Sequence, residues 1–476
     1  MFHGRKEELE RLGELWKKPL ASLVTCRGRR RIGKSTLVAE FAKRSGADFL
    51  SFEGRPPRPG ITGRHQLEAF AERYAVLLGG PVPAFRNWTE AFHHLAAAIR
   101  DDRRTVVLLD EISWMGGGSP DFPGDLKTAW DEEFKAHPRL MVVLCGSVSA
   151  WIADNILHGT GFAGRRSLDL VFGELPLADC VKFWGAAAER VPSGEILDVL
   201  SVTGGVPRYL EEINPAESAD ENVRRLCFLP GGILHDDLPQ IFGDVFGKSS
   251  AARRSILSAL AAGSKSAEEL ARASGRESNG HLSRALEELE EAGFIASNGG
   301  INPETGRASG IKKYRIRDNY SRFFLRCVEP NLGAIDGRAF RFRSLEQLPG
   351  WETILGLQFE ALVLNHATEF FSGLGLDRSL VLSAAPWSKA AGAGRRGCQI
   401  DLLVQTRRSA MAVEIKRRRE IGREVIDEVE RKVAALKVRK GVAVRTALIY
   451  AGQLSPGVEA DGYFGSVVSA EDFLRQ

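Results

Sequence analysis

The stretch "CRGRRRIGKST", Cys26 to Thr36, decides the fold of the first part of the chain. Its centre, Gly28 to Ser35, reads G-R-R-R-I-G-K-S and fits the pattern G-x-x-x-x-G-K-S/T. The pattern has physical meaning only between a strand and a helix. Both are predicted here: an apolar run over Leu23–Cys26 and a helix opening near Lys34. Glycine lets the backbone curl so that its N–H groups and the helix N-terminus point at one anion. The expected anion is the polyphosphate of ATP. Gly28, Arg31, Ile32, Gly33 and Thr36 then surround it, Lys34 reaches the β- and γ-phosphates, and the Ser35 hydroxyl ligates Mg²⁺. Arg29, Arg30 and Arg31 fill positions that need backbone rather than a particular side chain. At least two of them are expected in solvent or at a domain contact.

Outward from this loop, the runs "ASLVTCRG", "ADFLSFEG", "RTVVLLDE", "RLMVVLCGS" and "LDLVFGELPL" alternate with helical stretches. Near-continuous apolar strands separated by helices predict a parallel sheet covered on both faces. "TVVLLDEI" adds the second half of a nucleotide site. Asp110 is placed to hold Mg²⁺ through water, and Glu111 to orient and polarise an attacking water. Ser147, in "CGSVSAW", falls where a polar group near the γ-phosphate is expected, or a helix N-cap. Arg165 and Arg166 are read as γ-phosphate-sensing or trans-acting arginines, or as a surface pair. "TGGVPRYL" predicts a Gly-Gly turn at a helix start, with Arg208 as a lid sensor if it meets nucleotide.

With 476 residues the chain exceeds one ordinary domain, and about three or four are expected. Apolar residues make up 43% and charged residues 26%, an ordinary globular composition. Six scattered cysteines suggest neither a zinc site nor a disulfide framework. The charged stretch "MFHGRKEELERL" predicts no secretory leader, and no long apolar run predicts a membrane span. The expectation is a soluble cytoplasmic protein whose net charge of +4 permits nucleic-acid binding without demanding it. The predicted domains are 1–175, an ATPase core; 176–246, a helical lid; 247–330, three helices and a Gly-rich hairpin; and 345–476, a second α/β unit.

Three helices followed by a hairpin form a winged helix-turn-helix. Its second reading helix, Asn279–Ala292, starts polar but continues as the acidic "EELEEAG", whereas the wing carries Arg307, Lys312, Lys313, Arg315 and Arg317. DNA binding through phosphate contacts of the wing is one reading, and a protein-binding or lid-supporting unit is the other.

In the last segment, Asp401 closes the run Gln399–Asp401, and Glu414 follows after twelve intervening residues. Residues two apart on a strand share a face, so Glu414 and Lys416 project together. Asp401 on the neighbouring strand completes a carboxylate pair for one or two divalent ions, Mg²⁺ or Mn²⁺. Lys416 is then placed to stabilise an attacking hydroxide or a pentavalent phosphate. Glu360, on the preceding helix, is a further carboxylate. The set resembles the PD-(D/E)xK nuclease superfamily, although no Asp stands beside Pro386 and Asp401 covers the first acidic position. The other reading is a non-cutting fold with Asp401, Glu414 and Lys416 in an ion pair. Arg395, Arg396, Arg407, Arg408, Arg417, Arg418 and Arg419 crowd the region and favour a phosphate-rich partner. "SKAAGAGRRG" is expected as a flexible turn.

"FHGRKEELERL", "GRRRIGKST", "VVLLDEI", "LCGS" and "GGVPRYL" together resemble the archaeal-type ATPases within the AAA+/STAND-like P-loop group, and the resemblance extends through "KKYRIRDNYSRFFLRCVEP" to the end. It implies that His3, Gly4 and Arg5 lie near an adenine, and that the tail is restriction-endonuclease-like. The expected architecture is multidomain α/β: an AAA+-like P-loop sheet, a helical lid, a winged helix and a nuclease-like α/β domain. The expected activity is ATP hydrolysis controlling a metal-dependent DNA nuclease, in genome maintenance or defence. A regulatory ATPase with an inactive tail is the alternative. DNA is the expected partner, and a homo-oligomer follows if Arg165 or Arg166 acts in trans.

Overall fold

A computed structural model describes every residue except Met1, Pro57, Pro59, Val148, His158, Arg276, Ser278, Ile311, residues 390–396 and Gln476. The basic residues Arg395 and Arg396, and most of the turn expected around them, lie outside the described residues. The chain forms two compact units. The first comprises residues 1–173, 241–250 and 291–293, and the second 174–240, 251–290 and 294–476.

The first unit opens with α1 (Lys6–Trp16) and β1 (Ser22–Gly28), and α2 (Lys34–Ser45) leads to β2 (Asp48–Glu53). Helices α3 (Gly63–Leu78) and α4 (Trp88–Ala98) precede β3 (Thr105–Asp110), α5 (Phe122–Glu132) precedes β4 (Leu140–Gly146), and β5 (Leu168–Phe172) closes the sheet. The strand order is β2-β3-β4-β1-β5, and every neighbouring pair is parallel. β4 is buried at all its positions, as a central strand covered on both faces must be. One face packs on Phe52, Phe70, Trp88, Phe92, Phe122 and Phe134. Phe70 stacks on Phe52 at 4.3 Å and meets Trp88 edge-on at 5.5 Å. Truncating fully buried Phe92 to alanine removes the middle of this layer, at about 3–5 kcal/mol. α4 starts where it does because the Asn87 side chain accepts from the Glu90 N–H at 2.9 Å.

The second unit includes α6 (Ser193–Thr203) and α7 (Ala219–Cys227), the latter opened by a Ser218–Glu221 capping box. Then come α8 (Ser250–Leu260), β6 (Lys265–Ser266), α9 (Ala267–Ala273), α10 (Gly280–Glu291), β7 (Ile295–Asn298) and β8 (Lys313–Ile316). The short strands form an antiparallel sheet ordered β6-β8-β7. Gly275, at φ 65°, ends α9 in a left-handed turn that a side chain would strain.

The remainder is α11 (Trp351–Asn365), β9 (Ser383–Lys389), β10 (Cys398–Gln405), β11 (Ser409–Ile421), α12 (Glu424–Ala435), β12 (Ala443–Leu454) and β13 (Ser466–Ser469). These strands make a mixed sheet ordered β13-β12-β11-β10-β9. β9, β10 and β11 run antiparallel, whereas β11, β12 and β13 are parallel, so α12 serves as the crossover that parallel strands require. β9 opens only at Ser383, although the apolar run starts near Leu380. The Asp377 carboxylate accepts from the Ser379 N–H at 2.8 Å and holds Arg378–Leu380 as a 3-10 turn instead.

Helix α6, the three-helix segment and the mixed sheet fall within one compact unit. A buried polar network explains much of this. The Gln358 amide donates to the carbonyls of Ser201 and Asn319, both at 2.8 Å, and Asn319 donates to Ser201 and Gln358 carbonyls at 3.1 and 3.0 Å. Arg322 donates to the Gln358 side-chain oxygen at 2.9 Å. Buried amides hold their partners strongly because losing one leaves the other unsatisfied. Among the described residues, no helix is long and apolar enough to cross a membrane.

Candidate functional site

The phosphate loop leaves β1 at Gly28, whose φ is 143°. A Cβ there would stand 2.6 Å from the Phe172 carbonyl oxygen on β5, so only glycine lets the two strands approach. The loop then turns through Arg31 at φ 70° and Gly33 at φ 86°, and α2 starts at Lys34. The Lys34 ammonium is buried and donates to the carbonyls of Gly28 and Arg29 at 2.9 and 3.0 Å. Burial lowers its pKa, against the opposing pull of Glu111 and Asp110. Ser35 and Thr36 follow in the first turn of α2.

Asp110 ends β3 and accepts from the Glu111 N–H at 3.0 Å. Glu111 itself sits at φ 46°, ψ 48°, a left-handed conformation that costs a non-glycine residue roughly 1–3 kcal/mol. Its carboxylate is fixed by Ser147, whose hydroxyl lies 2.8 and 3.0 Å from the two oxygens and whose N–H donates at 3.2 Å. Ser147, expected beside the γ-phosphate, thus engages the water-activating candidate. Glu53 is a third carboxylate here. It ends β2 in register with Asp110, and its pKa is raised by burial and then by repulsion from Asp110 and Glu111. Its sequence signal, an acid at a strand end before glycine, is too common to single out.

The arginines divide. Arg29 is buried at 5% exposure. Arg30 pairs with Asp244 of the same unit and lies over the Trp114 ring at 5.1 Å. Arg5, expected near adenine, donates to the Ile32 carbonyl of the loop at 3.0 Å and to the Gly173 carbonyl at 2.6 Å, and so braces the loop. Arg165 is engaged by Asp131 at 2.6 and 2.9 Å, and this arginine is the main reason the Asp131 carboxyl drops to about 2. Arg166 donates to the Leu157 carbonyl at 3.4 Å. Arg208 pairs with Glu211 and Glu212, just past the end of its short helix Pro207–Leu210.

The C-terminal candidates converge as well. Asp401 on β10 accepts from the Ile415 N–H at 3.0 Å, which sets it beside Glu414 on β11. Glu414 is buried, and Lys416 lies 2.8 Å from it. Two residues that the sequence reading missed enter from α12. Lys432 reaches both Glu414 oxygens at 2.7 Å and stands 4.0 Å from Asp401, and Glu428 binds Lys416 at 3.0 Å and Lys432 at 3.2 Å. Burial and then Glu360 push Asp401 up to about 6, while burial and then Asp401 push Glu414 up to about 7. Burial also raises Glu360, against the pull of Arg322 and Arg315. Three carboxylates, Asp401, Glu414 and Glu428, thus face two ammonium groups. Among the described residues, no group of three or more His, Cys, Asp and Glu side chains is arranged to hold a metal ion. A divalent ion at Asp401 and Glu414 therefore competes with Lys432 for the same oxygens.

No family model matches the chain. It is 24% identical over 425 residues, 87% of either chain, to an uncharacterized protein of Methanocaldococcus jannaschii. A stretch of 41 residues, 9% of this chain and 70% of the relative, is 49% identical to an uncharacterized ATP-binding protein of the same organism. Among solved structures, a Walker-type ATPase of Pyrococcus abyssi aligns with 68% of this chain and 96% of its own, at TM-score 0.49 and 20% identity. The ORC2 protein of Aeropyrum pernix aligns with 70% of this chain and 94% of its own, at TM-score 0.39 and 14% identity.

Proposed function

We propose that the chain binds and hydrolyses ATP at the loop Gly28–Ser35 and uses its nucleotide state to control a DNA-acting C-terminal domain. One observation carries the first half. Lys34 is a buried ammonium held only by loop carbonyls in its described hydrogen bonds, at the head of a helix and beside Glu111, itself held in a strained conformation. Such a charge suits a polyphosphate, and ATP binding is also what the description of one relative states. Ser35 and Asp110 fit Mg²⁺, a hydroxyl and a carboxylate at the loop, and this ion would neutralise charge on the phosphates. Glu111 orients the water and takes its proton, with Ser147 fixing the carboxylate. Measuring ATP hydrolysis for the wild type, Lys34→Ala and Glu111→Gln tests this: equal rates in all three contradict it.

The C-terminal end of this control is assigned to α6. Asp198 pairs with Arg417, next to Lys416, and the Ser201 carbonyl accepts from Gln358, two residues before Glu360. One lid helix thus grips both elements that carry the C-terminal carboxylates. DNA is the expected partner because exposed Arg307 and Lys312 of the wing and the exposed pair Arg407 and Arg408 offer phosphate contacts, whereas Arg315 of the wing turns inward and donates to the Asn365 side chain at 3.0 Å. A homo-oligomer is the assembly in which Arg165 or Arg166 serves a neighbouring copy. Two readings of the tail follow from two observations. The raised, adjacent carboxylates Asp401 and Glu414 with Lys416 favour metal-assisted cleavage, with Mg²⁺ or Mn²⁺. The clasp of Lys432 on Glu414 favours a tail that binds DNA without cutting. Nicking assays on Asp401→Ala and Lys416→Ala, with ATP binding intact, separate them.

A further inference from the structure

Ahead of α11, residues 337–344 read G-R-A-F-R-F-R-S, three arginines and no acid. Past the turn at its start the segment is neither helix nor strand, yet it is held along its length. At one end the Ala334 carbonyl accepts from the N–H groups of Ala339 and Phe340 at 2.7 and 3.0 Å, and at the other the Leu345 N–H donates to the Asp220 carboxylate at 2.7 Å. In between, the rings of Phe340 and Phe342 stack on buried Phe228 at 5.0 and 4.7 Å. Both phenylalanines therefore turn inward. Arg341 and Arg343 alternate with them and are exposed, as is Arg338. Among the described residues, none of the three makes a side-chain hydrogen bond or an ion pair. Elsewhere in the same unit, Arg253, Arg254 and Arg417 pair with Glu288, Glu329 and Asp198. The acid just before the segment, Asp336, lies 2.8 Å from the His235 ring instead.

Arg338 supplies an independent sign. Its φ is 55°, a left-handed conformation that disfavours any residue with a Cβ. Among the described non-glycine residues, only Arg5, Arg31 and Glu111 share a positive φ, and all three belong to the phosphate-loop site. Glycine would stand at 338 without strain, so the arginine is held there against a backbone cost of the kind that collects at working sites. Three guanidinium groups without counter-ions suit a polyanion, since each presents paired N–H donors to one phosphate. Arg341 and Arg343 are at most about 7 Å apart along the chain, the scale on which phosphates repeat along one nucleic-acid strand. A lipid surface fits less well. The phenylalanines face inward, leaving none to insert, and docking on anionic lipid takes clusters of about four to eight basic residues.

We infer that residues 338–343 form a contact for the DNA backbone, in which Arg338, Arg341 and Arg343 hold phosphates without reading bases. The inference rests on the DNA-acting reading of the C-terminal domain and names a surface through which that domain holds its substrate. Anisotropy of fluorescein-labelled 20-mer duplexes of two unrelated sequences, measured in EDTA over a series of NaCl concentrations, tests binding apart from cutting. Each phosphate contact contributes about 0.9 to the slope of log affinity against log salt, so the variant Arg338→Ala, Arg341→Ala, Arg343→Ala is expected to lose about 2–3 from it, equally for both sequences. Lysine at the same three positions is expected to keep the slope. Arg338→Gly separates contact from structure: the urea midpoint is expected to stay level or rise while DNA affinity falls several-fold. Affinity and slope unchanged in the alanine variant, with DNA still bound, overturn this contact while the wider DNA reading stands. Wild-type protein that binds no DNA at low salt overturns both. A lower urea midpoint in Arg338→Gly overturns the role given to Arg338. Phosphatidylserine vesicles bound by the wild type in preference to DNA, and released by the alanine variant, overturn the nucleic-acid assignment.

Discussion

The chain holds two clusters of lysine and carboxylate that solve the same electrostatic problem in opposite ways. At the phosphate loop, Lys34 donates to two carbonyls, and burial, unmatched by close ion pairs, lowers its pKa. At the C-terminal sheet, burial would also lower Lys416 and Lys432, but Glu414, Asp401 and Glu428 outweigh it and raise both. In the first cluster the described hydrogen bonds of Lys34 go to carbonyls rather than to a carboxylate, a charge that suits an anion. The second has closed on itself, and a cation enters only by displacing an ammonium. The difference comes from the backbone. A glycine-rich turn offers carbonyls and N–H groups, whereas paired strands have committed theirs to the ladder, leaving side chains to balance one another.

The comparison breaks first at Lys34. Lys34→Ala is expected to lower ATP hydrolysis by at least about a hundredfold, and near-normal turnover would show that the loop does not act through this charge. Glu111→Gln is expected to reduce turnover by about 10²–10⁴ while retaining nucleotide binding by equilibrium dialysis. Loss of binding instead would mean that Glu111 holds nucleotide rather than water.

Lys432→Met sharpens the other side. It strips a buried carboxylate of one partner, and chemical denaturation should register a loss of about 3 kcal/mol, partly restored by Mg²⁺ or Mn²⁺ if the freed oxygens take the ion. A loss that no divalent ion relieves assigns the site to structure alone. Finally, Glu414 and Asp401 are raised in the fold, so the native state binds more protons than the unfolded chain between about pH 4 and 7. Their contribution is present below that window and lost as pH rises through it. Wild-type stability should therefore fall relative to Glu414→Gln over this range in urea titrations at successive pH values. Parallel curves would mean that Glu414 is not held at a raised pKa.

The loop was legible because all its parts lie within Gly28–Ser35 and obey a local backbone rule. The five strands of the first sheet were legible as apolar runs because both of its faces are covered. Glu428 and Lys432 were not legible. An i,i+4 acid–base pair on an amphipathic helix reads as a solvated face, and only the crossover of α12 brings it over Glu414. The bracing role of Arg5 was hidden for a similar reason, since its partners Ile32 and Gly173 are brought together by β1 and β5. The union of α6 with the C-terminal part depends on Gln358 meeting Ser201, a contact between residues 157 apart that no periodicity encodes.

The central claim is that nucleotide at the first cluster governs what the second part does to DNA. The direct measurement incubates wild type and Glu414→Ala with supercoiled, linear and single-stranded DNA in Mg²⁺ or Mn²⁺, with and without ATP. The account predicts that DNA binding or cutting by the wild type changes with ATP, and that any cutting disappears in Glu414→Ala. ATP hydrolysis with DNA binding and cutting identical in its presence and absence would contradict it.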